Sequence, residues 1–341
     1  MPHLSCVTVT YGPTPTLWVM LESLARTTDR TTTEIVVVTQ PDETGSMAEE
    51  VARRAPHVRL IALERNEGFG VANNIGVEAA SGDLIALLNP DLELTEGWLA
   101  PLERALDDPG VLIAAPPLLG SEGGLEEAGQ VLFDDGGTDP IGGPRWPGSY
   151  DEVMFSRDVD YSSAACWLMR RADFRRLGGF SPDYAPAYFE DVDLALRVWQ
   201  SGGRCRLVVG RSVIHHHAPP STSRTAVALR SREVFESKWR AELGGQPSRS
   251  LEGSDGVAIR DHRCGGSHVI RLDAGIDDRE AQRLVDEAGR RAEAHPTDRV
   301  TVITTPRAMV EKWRRQWCPI GLEVIVADRP GEVVRDRPGV V

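Results

Sequence analysis

No apolar stretch in this chain of 341 residues approaches the roughly 18 residues that a membrane-crossing helix needs, so no span is expected. Cysteine is sparse: Cys6, Cys166, Cys205, Cys264 and Cys318 are scattered and odd in number. No pair has the spacing of a zinc site, and the pattern predicts reduced, mostly buried thiols, as in the cytosol. The opening Met1-Pro2-His3-Leu4-Ser5 has neither a basic segment nor a long apolar one, so no signal peptide is expected. Positive charge is also in short supply. The net charge is −13, which would repel a polyanion and argues against nucleic acid as a partner. Acidic and basic residues nearly balance over 251–341, so the acidic excess lies upstream. Neither H-E-x-x-H nor G-x-G-x-x-G occurs, which disfavours a zinc protease and a nicotinamide or flavin site.

What remains is an alternation of strand-like and helix-like segments. Cys6–Thr10, Glu34–Thr39, Val58–Leu63 and Asp83–Leu88 read as strands. Leu17–Arg26, Ser46–Arg54 and Val71–Ala80 between them read as helices. Such alternation predicts an α/β fold with a mostly parallel central sheet flanked by helices. Residues 120–150, rich in Gly, Pro and Asp, read as a long loop excursion. Further on, Ser162–Met169 is strand-like, Arg171–Leu177 helical, Gly178-Gly179-Phe180 a turn and Asp191–Ser201 a helix. Arg206–Val209 and Ser212–His215 follow as strands, then a long helix over Thr225–Leu243. Residues 1–245 are expected to form one large domain, 246–256 a linker, and 257–341 a small C-terminal α/β unit of unknown role.

Four clusters could carry chemistry. Asn89-Pro90-Asp91 ends an apolar strand, and ligands in open α/β sheets bind outside the carboxyl ends of strands. A carboxylate there can hold Mg²⁺ or Mn²⁺ against diphosphate oxygens, although a simple turn is an equal alternative. Asn66-Glu67-Gly68-Phe69-Gly70 opens a helix, where glycines allow close approach and the N-terminus attracts anions; a plain helix cap is the competing explanation. Glu190-Asp191-Val192-Asp193 follows the aromatic pair Tyr188-Phe189. It is either a set of helix-capping carboxylates or the source of a general base with a partly apolar wall. His215-His216-His217 follows a strand and offers imidazoles to a divalent cation, though three histidines also suit an exposed strand end.

In this order, these strings resemble family 2 glycosyltransferases of GT-A fold, closest to the bacterial rhamnosyltransferase-like branch, over roughly residues 4–245. Val9-Thr10-Tyr11, Asn66 to Asn74, Gly82-Asp83 leading to Leu88-Asn89-Pro90-Asp91, Leu177 to Phe180, Phe189 to Leu194 and the histidines before Ser221-Thr222 carry the likeness. The resemblance implies a nucleotide-diphosphate sugar donor (dTDP-rhamnose or UDP-hexose type) and an inverting, metal-dependent transfer of a hexose. It assigns Asp91 to Mg²⁺ or Mn²⁺, with His216, whose spacing to Ser221 fits best, or else His215 or His217 completing the metal site. It assigns Asp191 as base with Glu190 on the acceptor side. Thr10, Tyr11, Gln40, Asn66, Gly68, Asn74 and Asn89 would bind the donor. The acceptor would be a glycan, a lipid-linked glycan or a small molecule, as in polysaccharide biosynthesis. The implied setting is cytoplasmic, with at most peripheral contact at the inner face of a membrane. The C-terminal unit leaves room for a homo-oligomer.

Three departures from the family pattern stand out. Thr39 or Gln40 replaces the Asp that usually follows the second strand and contacts the nucleotide base. Tyr11-Gly12 replaces Tyr-Asn, and Ser181-Pro182 replaces the usual acidic pair after Gly-Gly-Phe. Two other functions compete: an inactive relative that binds a nucleotide sugar or glycan, and a metal-dependent nucleotidyltransferase or pyrophosphatase. The second would give Glu190-Asp191 no role.

Overall fold

The computed structural model describes residues 3–29, 31–142, 153–216, 222–246, 267–273, 275–295, 298–305, 308–317 and 322–326. The strands are β1 (Leu4–Tyr11), β2 (Thr33–Gln40), β3 (Arg59–Ala62), β4 (Leu84–Leu88), β5 (Leu92–Glu93), β6 (Val111–Ala115), β7 (Leu118–Gly120) and β8 (Leu125–Glu127). They continue as β9 (Gln130–Leu132), β10 (Thr138–Pro140), β11 (Arg157–Asp158), β12 (Cys166–Arg170), β13 (Arg204–Leu207), β14 (Val213–His215), β15 (Ser267–Leu272), β16 (Arg299–Thr304) and β17 (Leu322–Val326).

Eight strands form the central sheet in the order β11-β13-β6-β12-β4-β1-β2-β3. The run β4-β1-β2-β3 is parallel, as the alternation with helices predicts. β12 enters antiparallel between β4 and β6. β1 and β4 are buried along nearly their whole length because both faces of the sheet are covered. Val7, Val9, Val36, Val38, Ile85 and Leu87 pack on one side with Ala72 and Val77 of the helix Phe69–Ala79. Leu4, Cys6, Val37, Ala86 and Leu88 pack on the other with Leu17, Met20 and Leu24 of the helix Leu17–Thr27. Cys6, Cys166 and Cys205 are buried free thiols, as expected; Cys264 and Cys318 lie outside the described residues.

The expected long loop over 120–150 is corrected by the structure. β7 and β8 pair as a hairpin, and β9 pairs with β10. The short strands escaped notice because each has only three residues, too few to display a period of two. Residues 143–150 lie outside the described residues. β5, β14, β7 and β8 form a four-stranded sheet in that order, built across the ends of the site-bearing segments. The strand β6 and the helix Leu99–Ala105 were likewise passed over in the sequence.

Near the C-terminus, β15, β16 and β17 make a parallel three-stranded sheet. The helices Asp278–Ala294 and Val310–Trp317 accompany it, with Val285, Ala288, Trp313 and Val324 in a buried cluster. The expected linker 246–256 falls almost wholly outside the described residues. Among the described residues no helix is long and apolar enough to cross a membrane.

Candidate active site

β4 ends at Leu88 and delivers Asn89, Pro90 and Asp91 at its carboxyl end. The next residue, Leu92, begins β5, which pairs antiparallel with β14 and sets Leu92 opposite His215. This pairing brings His215 Nε2 to 3.3 Å from Asp91 Oδ1. The other imidazole nitrogen, Nδ1, lies 2.9 Å from Glu126 Oε1 on β8. Burial disfavours a charged imidazole, but hydrogen bonding to Asp91 and Glu126 outweighs it and pushes the His215 pKa up to about 10.

The register brings His215, the alternative, rather than His216 beside Asp91. His216 donates its backbone N–H to the Asp91 carbonyl at 2.8 Å, and its ring turns to Glu93 at 3.2 Å. Successive residues of a strand face opposite ways, so His215 and His216 cannot both reach Asp91. His217 and Ser221 lie outside the described residues.

The second half of the site rests on Ser163-Ala164-Ala165, immediately before β12. Ser163 N–H donates to Glu127 Oε1 at 2.8 Å, and Ala164 N–H reaches Asp191 Oδ2 at 3.4 Å. The Ala165 carbonyl accepts the Asn89 N–H at 2.8 Å. Three consecutive residues thus gather Asn89, Asp191 and Glu127 from three distant parts of the sequence.

Asp191 sits in the first turn of the helix Glu190–Gln200 and accepts the Val192 N–H at 2.9 Å. It is not the capping residue; that position belongs to Phe189. Burial raises the Asp191 pKa against the opposing pull of the Val192 and Ala164 N–H groups. Glu190 is raised too, by burial first and by the Asp191 charge second. Glu190 is 5% exposed and its Oε2 is buried without a hydrogen-bond donor. Asp191, by contrast, keeps partial exposure.

Tyr188 and Phe189 precede the pair with φ of 75° and 70°. Left-handed backbone at such bulky residues costs on the order of 1–3 kcal/mol each and persists only where neighbours enforce it. The neighbours are on the helix Thr222–Lys238. Ser231 Oγ donates to the Ala187 carbonyl at 2.8 Å, Arg230 to that of Ala185 at 2.7 Å, and Phe235 packs on Phe189 with centroids 5.2 Å apart.

Sequence reasoning missed Glu126 and Glu127, because their strand was hidden in the presumed loop. Glu127 is buried and accepts Gln130 Nε2 at 2.7 Å, while Gln130 in turn accepts the Tyr161 hydroxyl at 2.6 Å. Burial, reinforced by the charges of Asp191 and Glu126, pushes the Glu127 pKa up to about 7.

The expected donor-side residues divide. Thr10 and Thr39 face each other in register at the carboxyl ends of β1 and β2, and both hydroxyls are buried without partners. Asn89 Oδ1 is also buried without a donor, and Tyr11 stands exposed. Gln40, Asn66 and Asn74 each hold backbone groups. Gln40 Oε1 accepts the Glu67 N–H at 2.8 Å, and Asn66 Oδ1 accepts that of Gly68 at 2.9 Å. Asn74 binds both the N–H and the carbonyl of Phe180, so its amide fastens a turn. Gly68, at φ 90°, lets the chain pass so near Pro186 that a Cβ would lie 2.8 Å from its carbonyl oxygen. That carbonyl, not an anion, accepts the Phe69 N–H at 2.7 Å.

Asp42 was also overlooked, since it lies beyond the end of β2. A Cβ at Gly12 would sit 2.0 Å from its Oδ2, so the Gly in place of Asn at the end of β1 makes room for this carboxylate.

A divalent cation fits the first half. Asn89 Oδ1 is buried without a hydrogen-bond donor, and the buried Asp91 Oδ1 has Nε2 of His215 3.3 Å away. Carboxylate oxygen suits Mg²⁺ or Mn²⁺, and an imidazole beside it favours Mn²⁺. Among the described residues no group of three or more His, Cys, Asp or Glu forms a metal cage. A cation held by one or two side chains would complete its shell with phosphate oxygens and water.

The sheet order, the strand-end carboxylate and the buried acid pair together define a GT-A type glycosyltransferase fold. The family model "Glycosyl transferase family 2" matches residues 5–178, and the chain belongs to that family. The match includes Asn89 to Asp91 and Glu126-Glu127 but ends before Glu190, Asp191 and His215. The chain is similar to an N-acetylglucosaminyl-diphospho-decaprenol L-rhamnosyltransferase of Mycobacterium tuberculosis, 29% identical over 290 residues, covering 76% of this chain and 92% of that one. It is also similar to the O-antigen biosynthesis protein RfbC of Myxococcus xanthus, 29% identical over 255 residues, covering 70% of this chain but 19% of that protein. Among solved structures, GalNAc-T7 with UDP, GalNAc and Mn²⁺ shares the fold at a TM-score of 0.58 and 18% identity. That likeness covers 72% of this chain and 49% of that one.

Proposed function

We propose that the protein is an inverting, metal-dependent glycosyltransferase that moves a hexose from a nucleoside-diphosphate donor to an acceptor hydroxyl. The observation that carries this reading is the Ser163-Ala164-Ala165 junction, where Asn89 at the strand end and Asp191 at the helix start are pinned to adjacent residues. Direct displacement at an anomeric carbon needs a neutralised leaving group on one side and a proton acceptor on the other.

Asp91 and His215 would hold the cation, which as a Lewis acid supplies the charge that a departing diphosphate requires. Asp191 would take the acceptor proton, its affinity for protons lifted by burial toward the range a base needs. Glu190 is the buried neighbour of Asp191 in sequence, and Glu127 holds the loop that contacts Asp191. On the donor side, Thr10, Thr39 and Asn89 offer buried polar atoms, Tyr11 a stacking face and Asp42 a carboxylate beside Gly12. The rhamnosyltransferase likeness supports a deoxyhexose donor such as dTDP-rhamnose and a lipid-linked glycan acceptor. Residues 1–245 would form the catalytic domain, and 257–341 a separate unit able to mediate self-association.

The test is release of nucleoside diphosphate by the purified protein from a panel of nucleotide sugars with Mn²⁺, with and without acceptor. Release that depends on a dTDP- or UDP-sugar and stops with chelator supports the reading. Undiminished release in chelator removes the metal from it, and release of pyrophosphate instead favours a nucleotidyltransferase.

A further inference from the structure

The strand order β5-β14-β7-β8 places two carboxylates on either side of one imidazole. Asp91 immediately precedes β5, His215 ends β14, and Glu126 is the middle residue of β8. β14 and β8 are separated by β7, a backbone distance of roughly 10 Å. A glutamate and a histidine are together long enough to bridge it, and they meet with Nδ1 2.9 Å from Glu126 Oε1. The opposite nitrogen, Nε2, is thereby turned to within 3.3 Å of Asp91 Oδ1. Neighbouring Glu127 faces the other way, into the Ser163 N–H, so the strand cannot rotate Glu126 out of place without breaking that bond.

We propose that Glu126 is a positioning residue: it accepts the proton-bearing Nδ1 of His215 and so presents a bare Nε2 to a cation at Asp91. A histidine that binds a metal through one nitrogen is commonly fixed by a carboxylate at the other. The acceptor selects the tautomer and the ring orientation, and it strengthens the imidazole as a ligand. Nothing in the composition of β8 marks this role; it follows from the side-by-side order of the four strands. The inference rests on the proposed cation site at Asp91 and His215, and the two can fail separately.

The test is titration of the full-length protein with Mn²⁺ alone, following free Mn²⁺ by electron paramagnetic resonance, for wild type, Glu126→Ala, Glu126→Gln, His215→Ala and Asp91→Asn. Glu126→Ala is expected to weaken Mn²⁺ binding by about 10–100-fold. Glu126→Gln is expected to stay within several-fold of wild type, because its amide oxygen can accept the same hydrogen bond. If Glu126→Ala binds Mn²⁺ normally while His215→Ala does not, Glu126 has no such role and the cation site stands. A Glu126→Gln as weak as Glu126→Ala also overturns it. If His215→Ala and Asp91→Asn both bind like wild type, the cation site itself falls. Should Glu126→Ala fail to fold, ¹⁵N spectra of the histidines in the Mg²⁺-loaded wild type decide. A proton on Nδ1 of His215 supports the proposal, and a proton on Nε2 overturns it.

Discussion

Asp191 and Asp193 stand two residues apart on one helix, and their surroundings are opposite. Asp193 is fully buried and fully answered: Arg197 at 2.7 Å, Lys238 at 2.8 Å, the Trp239 indole at 2.9 Å and the Tyr184 hydroxyl at 3.0 Å all converge on it. Burial works against its charge, yet Lys238, Arg197 and Trp239 hold its pKa below the usual carboxylate range. Asp191 accepts backbone N–H groups, those of Val192 and Ala164 among them, has Glu190 as its neighbour, and its pKa is raised by burial. A carboxylate with several cations is a structural anchor, here tying the acid helix to the helix Thr222–Lys238. A buried carboxylate without cationic partners stores proton affinity, which is the property a general base uses.

The comparison predicts different failures. Asp191→Asn should lower turnover by about 10²–10⁴-fold, the range for loss of general-base catalysis, with a normally folded protein. Retained turnover would show that the two aspartates do not divide the work as described. Next in size, Asp193→Asn should cost about 2 kcal/mol in chemical denaturation, since buried donors lose their charged acceptor. Its effect on turnover should then follow from lost order in Tyr188 to Asp191. A stable Asp193→Asn protein with wild-type melting would contradict the anchor.

The pH dependence of stability sharpens the contrast further, because the signs differ. Asp193 has a depressed folded pKa, so its contribution is present above its unfolded pKa and lost as pH falls through the folded one. Asp193→Asn should therefore flatten the acid limb of a stability curve. Glu127, lifted from 4.5 to about 7, behaves the other way: stability declines as pH rises across that interval. Glu127→Gln should remove that decline, giving a variant relatively more stable at pH 8 than at pH 4, by denaturant titration at each pH. The smallest effect is expected at Asp42, where Asp42→Asn should raise the donor KM several-fold and leave turnover at saturating donor nearly unchanged.

The sequence made the strand-end and helix-start motifs legible because each is a local string: Asn89-Pro90-Asp91 closes an apolar run, and Glu190-Asp191 opens a helix. The parallel core was equally legible from its alternation of apolar segments. What stayed hidden depended on pairing between distant segments. Three-residue strands have too short a run to announce themselves, so Glu126 and Glu127 were lost in a presumed loop. The choice between His215 and His216 turned on a one-residue register set by β5, which no local pattern encodes. The backbone partners of Asn74 and Gln40 were equally hidden, Asn74's lying 106 residues away.

The most direct test of the division between the two aspartates is donor affinity and turnover measured together on Asp191→Asn with Mn²⁺ present. The account predicts donor binding within a few-fold of wild type, by calorimetry with the nucleotide sugar, and turnover reduced by at least about 100-fold. Loss of donor binding in parallel with turnover, or turnover near wild type, would contradict Asp191 as the base.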